Sequence, residues 1–391
     1  MERFGRVGPR MLLLHRHLFF SVLIACAGAV GLFGFVLVLG NALKDLLPLV
    51  LSGQLEAETA LTLLALLGPF VAAYALPMGI LTGVLLVLGR MSAQQEITAM
   101  RAAGLSLFYV ARPILVLGAL AAALSAAVNY EYMPRARALY KETLAKAVQR
   151  NPLSFIVPKT FIRDFPGVVL YVGEKKGNEL RDVWMWELDR ESRVKRSGRA
   201  AAGVVEYRED DGLLVLRLRR VNIEARKSDR PEDFSVPVAP LFAEEFPIEL
   251  HLETLFGRRN VQKKLAWMTL AELRAEEARL ADAAAAPGAN PVESRKSQMK
   301  VAFAMSEKGS TALAVFAFAF LAVPLGIKVS RKETSANLGV ALVLVMGYYF
   351  LSVCVGWLEG RPEWRPDLLL WLPALLFLSL AGWLFSRLGR V

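Results

Sequence analysis

Charge is what this sequence has little of. Asp, Glu, Lys and Arg make up only 21% of the 391 residues, against 55% hydrophobic. Soluble domains carry about 25% charge, and here the deficit is concentrated in long uncharged runs. Cysteine is also scarce. Cys26 and Cys354 both lie inside apolar runs, so they read as small apolar residues and exclude a disulfide framework. The three histidines, His15, His17 and His251, do not have the spacing of a metal site. No G-x-x-x-x-G-K-[ST] phosphate loop occurs, which argues against ATP hydrolysis by this chain, and G-x-S-x-G and H-E-x-x-H are missing too. The formal net charge of +11 points to cytoplasmic loops of a membrane protein rather than to nucleic acid.

Six runs are free of Asp, Glu, Lys and Arg for about the 20 residues a helix needs to cross hydrocarbon. They cover 18–43, 59–89, 113–130, 309–327, 334–358 and 368–386. The first is too long for a signal-peptide core and reads as a retained span. The second contains Pro69 and Pro77, which predict a kink. The third is expected to start near Leu105, with Arg112 close to its cytoplasmic end. These runs leave no Asp, Glu or Lys inside a span, which argues against an ion-coupled carrier or an intramembrane protease. Energy for any transport then has to come from another subunit.

The remaining charge is unevenly placed. Segments 1–17, 90–101, 328–333 and 387–391 hold eleven Lys and Arg, and loops 44–58 and 359–367 hold three. By the positive-inside rule both termini are cytoplasmic. The block 131–308 then lies outside the cytoplasm and is of domain size. Alternating apolar runs with turns at 176–178 and at Asp211–Gly212 read as hairpins. Many short strands joined this way predict a sandwich or jelly roll. In "MTLAELRAEEARLADAAAA", Thr269 and Glu272 have capping-box spacing, which predicts a helix before the linker 287–291. The expected architecture is an α-helical membrane protein of six spans (3+3) with an inserted extracytoplasmic all-β jelly-roll-like domain. Residues 1–130 hold three spans and a short cytoplasmic helix near 91–104, residues 131–300 the β domain with its trailing helix and linker, and residues 301–391 three more spans.

One polar passage joins two spans, and it carries a resemblance. "LPMGILTGVLLVLGRMSAQQEITAMRAAGLS", residues 76–106, resembles the stretch of the lipopolysaccharide export permeases LptF and LptG in which an apolar span leads into a short cytoplasmic helix of the form E-I-T-A-x-R-A-x-G-x-S. "FIVPKTFIRDFPGVVLYVGEKKGNELRDVWMWELDRESR" and "FLAVPLGIKVSRKETSANLGVALVLVMGYYFL" resemble the family's first jelly-roll strands and its fourth and fifth spans. The likeness covers essentially the whole chain, and the passage is somewhat nearer the LptF form.

The resemblance implies a non-catalytic permease subunit. Its partners are a cytosolic LptB-like ATPase that carries the ATP and Mg, a paralogous permease forming a heterodimer, and an LptC-like periplasmic protein. The cargo is lipopolysaccharide, drawn from the inner membrane and passed to a periplasmic bridge; no cofactor belongs to this chain and no nucleic acid is involved. Two other readings remain open: a permease for another lipid or a lipoprotein, and a membrane receptor with a β sensor domain.

Candidate residues follow. Glu96 matches the family's coupling-helix glutamate, and Ile97, Met100 and Ala103 form an apolar stripe suited to a groove on the ATPase. Arg101 is either an interface residue or a positive-inside charge, and Gly104 is placed to end the helix. Lys44, and more weakly Arg135, Arg137 and Lys141, are basic residues near the outer face suited to lipid phosphates, or to interfacial snorkelling. Pro324 and Gly326 read as a helix break. Tyr348 and Tyr349 are either gate or packing residues. Phe155, Phe161, Val169 and Trp184 are apolar candidates for the β domain's interior.

Overall fold

The computed structural model describes residues 9–51, 55–150, 156–163, 167–189, 193–208, 213–225, 241–251, 264–285, 290–329 and 334–388. The chain divides into two compact units. One comprises Met1–Ala42, Leu64–Ala138 and Lys263–Val391; the other comprises Leu43–Leu63 and Leu139–Gln262. Six helical stretches are long and apolar enough to cross a membrane.

The first unit is helical. It contains α1 (Pro9–Asn41), α4 (Gly68–Ala93), α5 (Glu96–Ala102), α6 (Leu107–Ala127), α8 (Leu270–Ala285), α9 (Pro291–Val329), α10 (Thr334–Gly356), α11 (Pro366–Leu369) and α12 (Leu372–Leu388). The short helix α2 (Leu47–Leu51), most of α3 (Ala57–Leu66) and most of α7 (Met133–Arg150), which continues from α6, belong to the second unit. The core is built around α4 and α9, which bury Leu81, Leu85, Leu88, Phe318 and Leu321 with Ile114 of α6 and Phe377 of α12.

Close approach explains two glycines of α4. A Cβ at Gly79 would lie 2.6 Å from the backbone N of Val30, and one at Gly83 2.5 Å from the Cα of Cys26. Both contacts fall well inside van der Waals distance, so α1 and α4 pack backbone to backbone through a G-x-x-x-G pair. Cys26 is buried there, donating its thiol to the carbonyl of Ile80 at 3.7 Å. Cys354 is half-buried and, like Cys26, a free thiol.

Several span boundaries differ from the uncharged runs. The second run is divided rather than kinked: α3 ends at Leu66 and α4 begins at Gly68, with Pro69 in its first turn. Proline has no N–H and is accommodated at a helix start. Pro77 lies inside α4 without ending it. The fourth span is much longer than its run. The 39 residues of α9 correspond to a rise of about 58 Å, well beyond a hydrocarbon core of about 30 Å. The break expected at Pro324 and Gly326 does not occur, because α9 continues to Val329. Gly326 serves packing instead: a Cβ there would sit 2.8 Å from the Cβ of Leu88 on α4.

Leaving the membrane-crossing part, α6 passes through a π-helical turn, Val128–Tyr132, into α7. A second such turn, Ala42–Leu46, follows α1. The predicted capping box is present. The Thr269 N–H donates to a Glu272 carboxylate oxygen at 2.7 Å, and the Glu272 N–H to the Thr269 hydroxyl at 3.3 Å. The helix that follows, α8, buries Leu273 against Val301 and Ala304 of α9, so this trailing helix belongs to the helical unit.

In the second unit β1 (Phe161–Ile162), β2 (Val168–Lys176), β3 (Glu179–Leu188), β4 (Val194–Arg208), β5 (Leu213–Ala225) and β6 (Leu241–His251) form one antiparallel sheet. The strands pair in sequence order. That is a meander, and among the described residues the crossover of a jelly roll is not made. Gly177, at φ +59°, takes the left-handed conformation that the two-residue turn between Lys176 and Glu179 requires. The expected turn at Asp211–Gly212, the residue Phe155 and most of the linker at 287–291 lie outside the described residues.

Alternation sorts the faces of this sheet. Leu170, Val172, Val183, Met185, Leu214, Leu216 and Leu218 are buried on one side. Phe161, Val169 and Trp184, expected in the interior, point to the other. Phe161 is 55% exposed, and Trp184 stacks on Trp186 at 6.2 Å under the Arg199 guanidinium. A shift of one residue reverses a strand's faces, and the buried partners of these residues are their immediate neighbours.

Candidate functional site

Two places in the helical unit combine polar groups with a specific geometry. The first is the passage between α4 and α6. The last turn of α4 closes with the Gln94 N–H donating to Arg90 O at 2.9 Å and the Gln95 N–H to Ser92 O at 3.1 Å. Gln95 adopts φ +58°, a left-handed conformation that reverses the chain and costs a non-glycine residue about 1 kcal/mol. The two turns of α5 follow. At their end the Gly104 N–H donates to Arg101 O at 2.9 Å and the Leu105 N–H to Met100 O at 3.1 Å, with Gly104 at φ +85°. This pair of bonds is the Schellman arrangement, so Gly104 ends α5 as its position predicted. Ser106 then caps α6, its hydroxyl accepting from the Tyr109 N–H at 3.2 Å.

The two faces of α5 are unlike. Ile97 is 2% exposed and packs into the chain's own core with Val110 and Ala111, and Met100 rests on the same cluster. The apolar stripe therefore anchors α5 to this chain, a correction to the groove-facing role expected for Ile97 and Met100. Ala103 is exposed. Glu96, Ala99, Arg101 and Gly104 are exposed as well. A short helix held on one side and closed at its end presents Glu96, Thr98 and Arg101 on its exposed side.

The second place is a chamber of about 600 Å³ near the opposite ends of the spans. Its walls come from α4 (Phe70, Tyr74), α9 (Glu307, Lys308) and α10 (Tyr348, Tyr349). Lys308 is 5% exposed. Its ammonium donates to Met268 O at 2.7 Å and to Asn129 O at 3.2 Å. Asn129 sits in the π-helical turn, whose altered bonding leaves a carbonyl for such a donor. Its own amide donates to Ser125 O at 2.8 Å. A buried cation is tolerated only with such partners, and here it fastens together segments 139 residues apart in sequence.

The basic residues singled out in the sequence separate in the structure. Arg137 lines the chamber, its guanidinium 4.1 Å from the centre of the Phe70 ring and 5.7 Å from that of Trp267. Arg135, on the same helix, is turned to solvent and pairs with Glu131. Lys44, in the π-helical turn after α1, and Lys141, on α7, are exposed and belong to the other compact unit. Tyr348 is buried in packing, 5.4 Å from Phe318 and 6.2 Å from Phe377. Tyr349 faces the chamber near Tyr74, and its buried hydroxyl has no hydrogen-bond partner among the described residues.

Lys308, Glu307 and Asn129 were not singled out in the sequence. Spans defined as uncharged runs stop at Gly309 by construction, although α9 begins at Pro291. The expectation that no Lys is buried within a span is corrected by Lys308. The available signal was the apolar i, i+3, i+4 pattern continuing upstream of residue 309, through Val301, Ala304 and Met305.

The sequence profile described as the lipopolysaccharide export system permease LptF/LptG matches residues 16–387. The chain is 28% identical over 165 residues to the lipopolysaccharide export system permease protein LptF of Escherichia coli K12, and equally similar to that of Shigella flexneri. These alignments cover 42% of this chain and 43% of each relative, so less than half of the relatives' length is matched. The profile extends through α5, the β domain and the last span alike, and on that extent the chain belongs to the LptF/LptG family of lipopolysaccharide export system permeases.

Proposed function

We propose that this chain is a permease subunit of an ATP-driven exporter that draws lipopolysaccharide from the inner membrane and passes it to a periplasmic bridge. The observation that carries the reading is the family profile running the length of the chain. In this reading both termini and α5 face the cytoplasm, as the distribution of Lys and Arg favours, and the β domain faces the periplasm. ATP and Mg bind to a separate cytosolic ATPase, and this chain is non-catalytic.

Coupling is assigned to the exposed face of α5. Glu96 offers a carboxylate to Arg or backbone donors of the ATPase, and Arg101 and Gly104 complete that face. Ile97 and Met100 contribute by fixing α5 to the core, so that movement of the ATPase is passed to α4 and α6 and not lost in a loose loop. Of the four basic residues singled out in the sequence, Arg137, at the chamber, is the one best placed to meet a lipid phosphate. Lys44, Arg135 and Lys141 have weaker claims as phosphate contacts because they are exposed.

A paralogous permease completes the transport path, and an LptC-like protein extends it. Strand β6 has a pairing partner only in β5 among the described residues, and an open edge can take up a partner's strand. The test is Glu96→Ala in cells and in the purified chain. The expected result is normal membrane insertion, loss of ATPase co-purification and loss of lipopolysaccharide export. Co-purification and export at the level of the unaltered chain would overturn the coupling role.

A further inference from the structure

A groove of about 480 Å³ lies between α1 and α6, near their N-terminal ends. Its apolar walls are Leu13, Phe19, Pro113 and Val116, and two guanidinium groups, Arg16 and Arg112, border it. His15 forms part of the wall, held by its Nε2 at 3.1 Å from Tyr109 O and by ring contact with Tyr109 at 4.0 Å. Among the described residues, no carboxylate lines the groove. Both arginines are exposed, and neither forms an ion pair among the described residues. Nothing proposed above for coupling or cargo uses these residues.

Two arginines on different helices, bordering one opening and without a counter-charge among the described residues, are a poor arrangement for a protein by itself. Like charges repel, and each guanidinium keeps its planar fork of donors available. The fork matches the geometry of a phosphate, to which arginine binds through two parallel hydrogen bonds. Below the arginines the walls are apolar, and Val116 is 51% exposed along the flank of α6. A soluble anion has no use for such walls, whereas a lipid places its phosphodiester at the arginines and its first methylenes between Phe19, Pro113 and Val116. Basic pockets between membrane helices on the cytoplasmic side are where anionic headgroups bind.

We propose that this groove holds one anionic phospholipid of the leaflet into which the N-terminal ends of α1 and α6 open. That leaflet is the cytoplasmic one in the orientation above, but the binding itself does not depend on that reading. The occupant braces α1 against α6 immediately after the α5 turn.

The test is native mass spectrometry of the purified full chain titrated with phosphatidylglycerol or phosphatidylcholine. The expected result is one retained phosphatidylglycerol, with phosphatidylcholine held at least about tenfold more weakly, a difference of about 1.4 kcal/mol, because its quaternary ammonium brings a further positive charge to the two guanidinium groups. Arg16→Gln with Arg112→Gln is expected to lose the bound lipid to the same degree. Val116→Trp fills the apolar wall while leaving both arginines, and it is expected to lose the lipid as well. That second variant decides the matter if the double variant does not fold. Retention of phosphatidylglycerol at the unaltered level by either folded variant overturns the proposal. Equal retention of phosphatidylcholine, or displacement of the lipid by inorganic phosphate alone, also overturns it.

Discussion

Helices α1 and α4 each carry a long apolar run, yet they end in opposite situations. In the most apolar 18-residue window of each, 17% of residues are buried in α1 and 78% in α4. Helix α10 resembles α1, also at 17%, and α9 resembles α4, at 67%. Among the described side chains of α1, a stripe through Leu18, Val22, Cys26 and Ala29 is buried. Ile24 on its other face, and Leu32, Phe35 and Val36 beyond the stripe, are exposed. Hydropathy therefore reports that a helix belongs in lipid, but not which neighbour it has there. In water an apolar face of this size would mark an interaction surface. In a membrane it is free to meet either lipid or a second permease, and that freedom is what α1 and α10 retain and α4 and α9 have given up.

The contrast can be broken by substitution, and the largest effect is expected where backbones touch. Gly83→Leu on α4 places a side chain against the Cα of Cys26. It is expected to cost more than about 3 kcal/mol, since overpacking alone costs 1–3, and to prevent accumulation of the folded chain in membranes. Gly31→Leu on α1 meets nothing within 4 Å and is expected to be tolerated. Equal expression of the two would break the comparison.

Lys308→Met tests the polar counterpart of this packing. Two carbonyls, Asn129 O and Met268 O, lose a charged donor. A loss of about 2–3 kcal/mol is expected from hydrogen bonds to a charged group, seen as a lower melting temperature in detergent. An unchanged melting temperature would mean that water replaces the ammonium. Thr269→Ala removes half of the capping box of α8, with an expected loss of about 1 kcal/mol. Faster hydrogen exchange confined to α8 would sharpen the view that this helix is held locally.

The smallest effect on the isolated chain is expected at Phe350 on α10, which is 66% exposed. Phe350→Ala should change its stability by no more than about 0.5 kcal/mol, as surface substitutions do. If that face meets a second permease, the same change is expected to weaken pairing in a co-purification assay, and a neutral result there would assign the face to lipid.

Much of the plan was legible in the sequence, and the reasons are local. An uncharged run long enough for hydrocarbon has few alternatives to a helix, so six spans could be counted. Thr269 with Glu272, and Gly104 after a short helix, mark helix ends because their side chain or their lack of one acts within a single turn. Gly177 marks the hairpin between β2 and β3 for the same reason. The site was less legible. Glu96 stood out through resemblance to a family, and its exposure followed from which side of α5 the core took. Lys308 was hidden because a helix with tertiary partners continues past the last uncharged residue.

By itself the sequence determined what depends on near neighbours: the number of apolar spans, the turns, the caps and the alternation that makes strands. Only the tertiary structure decided which face of α5 turns inward, why Gly79, Gly83 and Gly326 are glycines, and which basic residue enters the chamber. It also decided that Arg16 and Arg112, 96 residues apart, border one groove. These properties depend on distances between segments remote in sequence, where burial and charge are set by whichever surface arrives opposite.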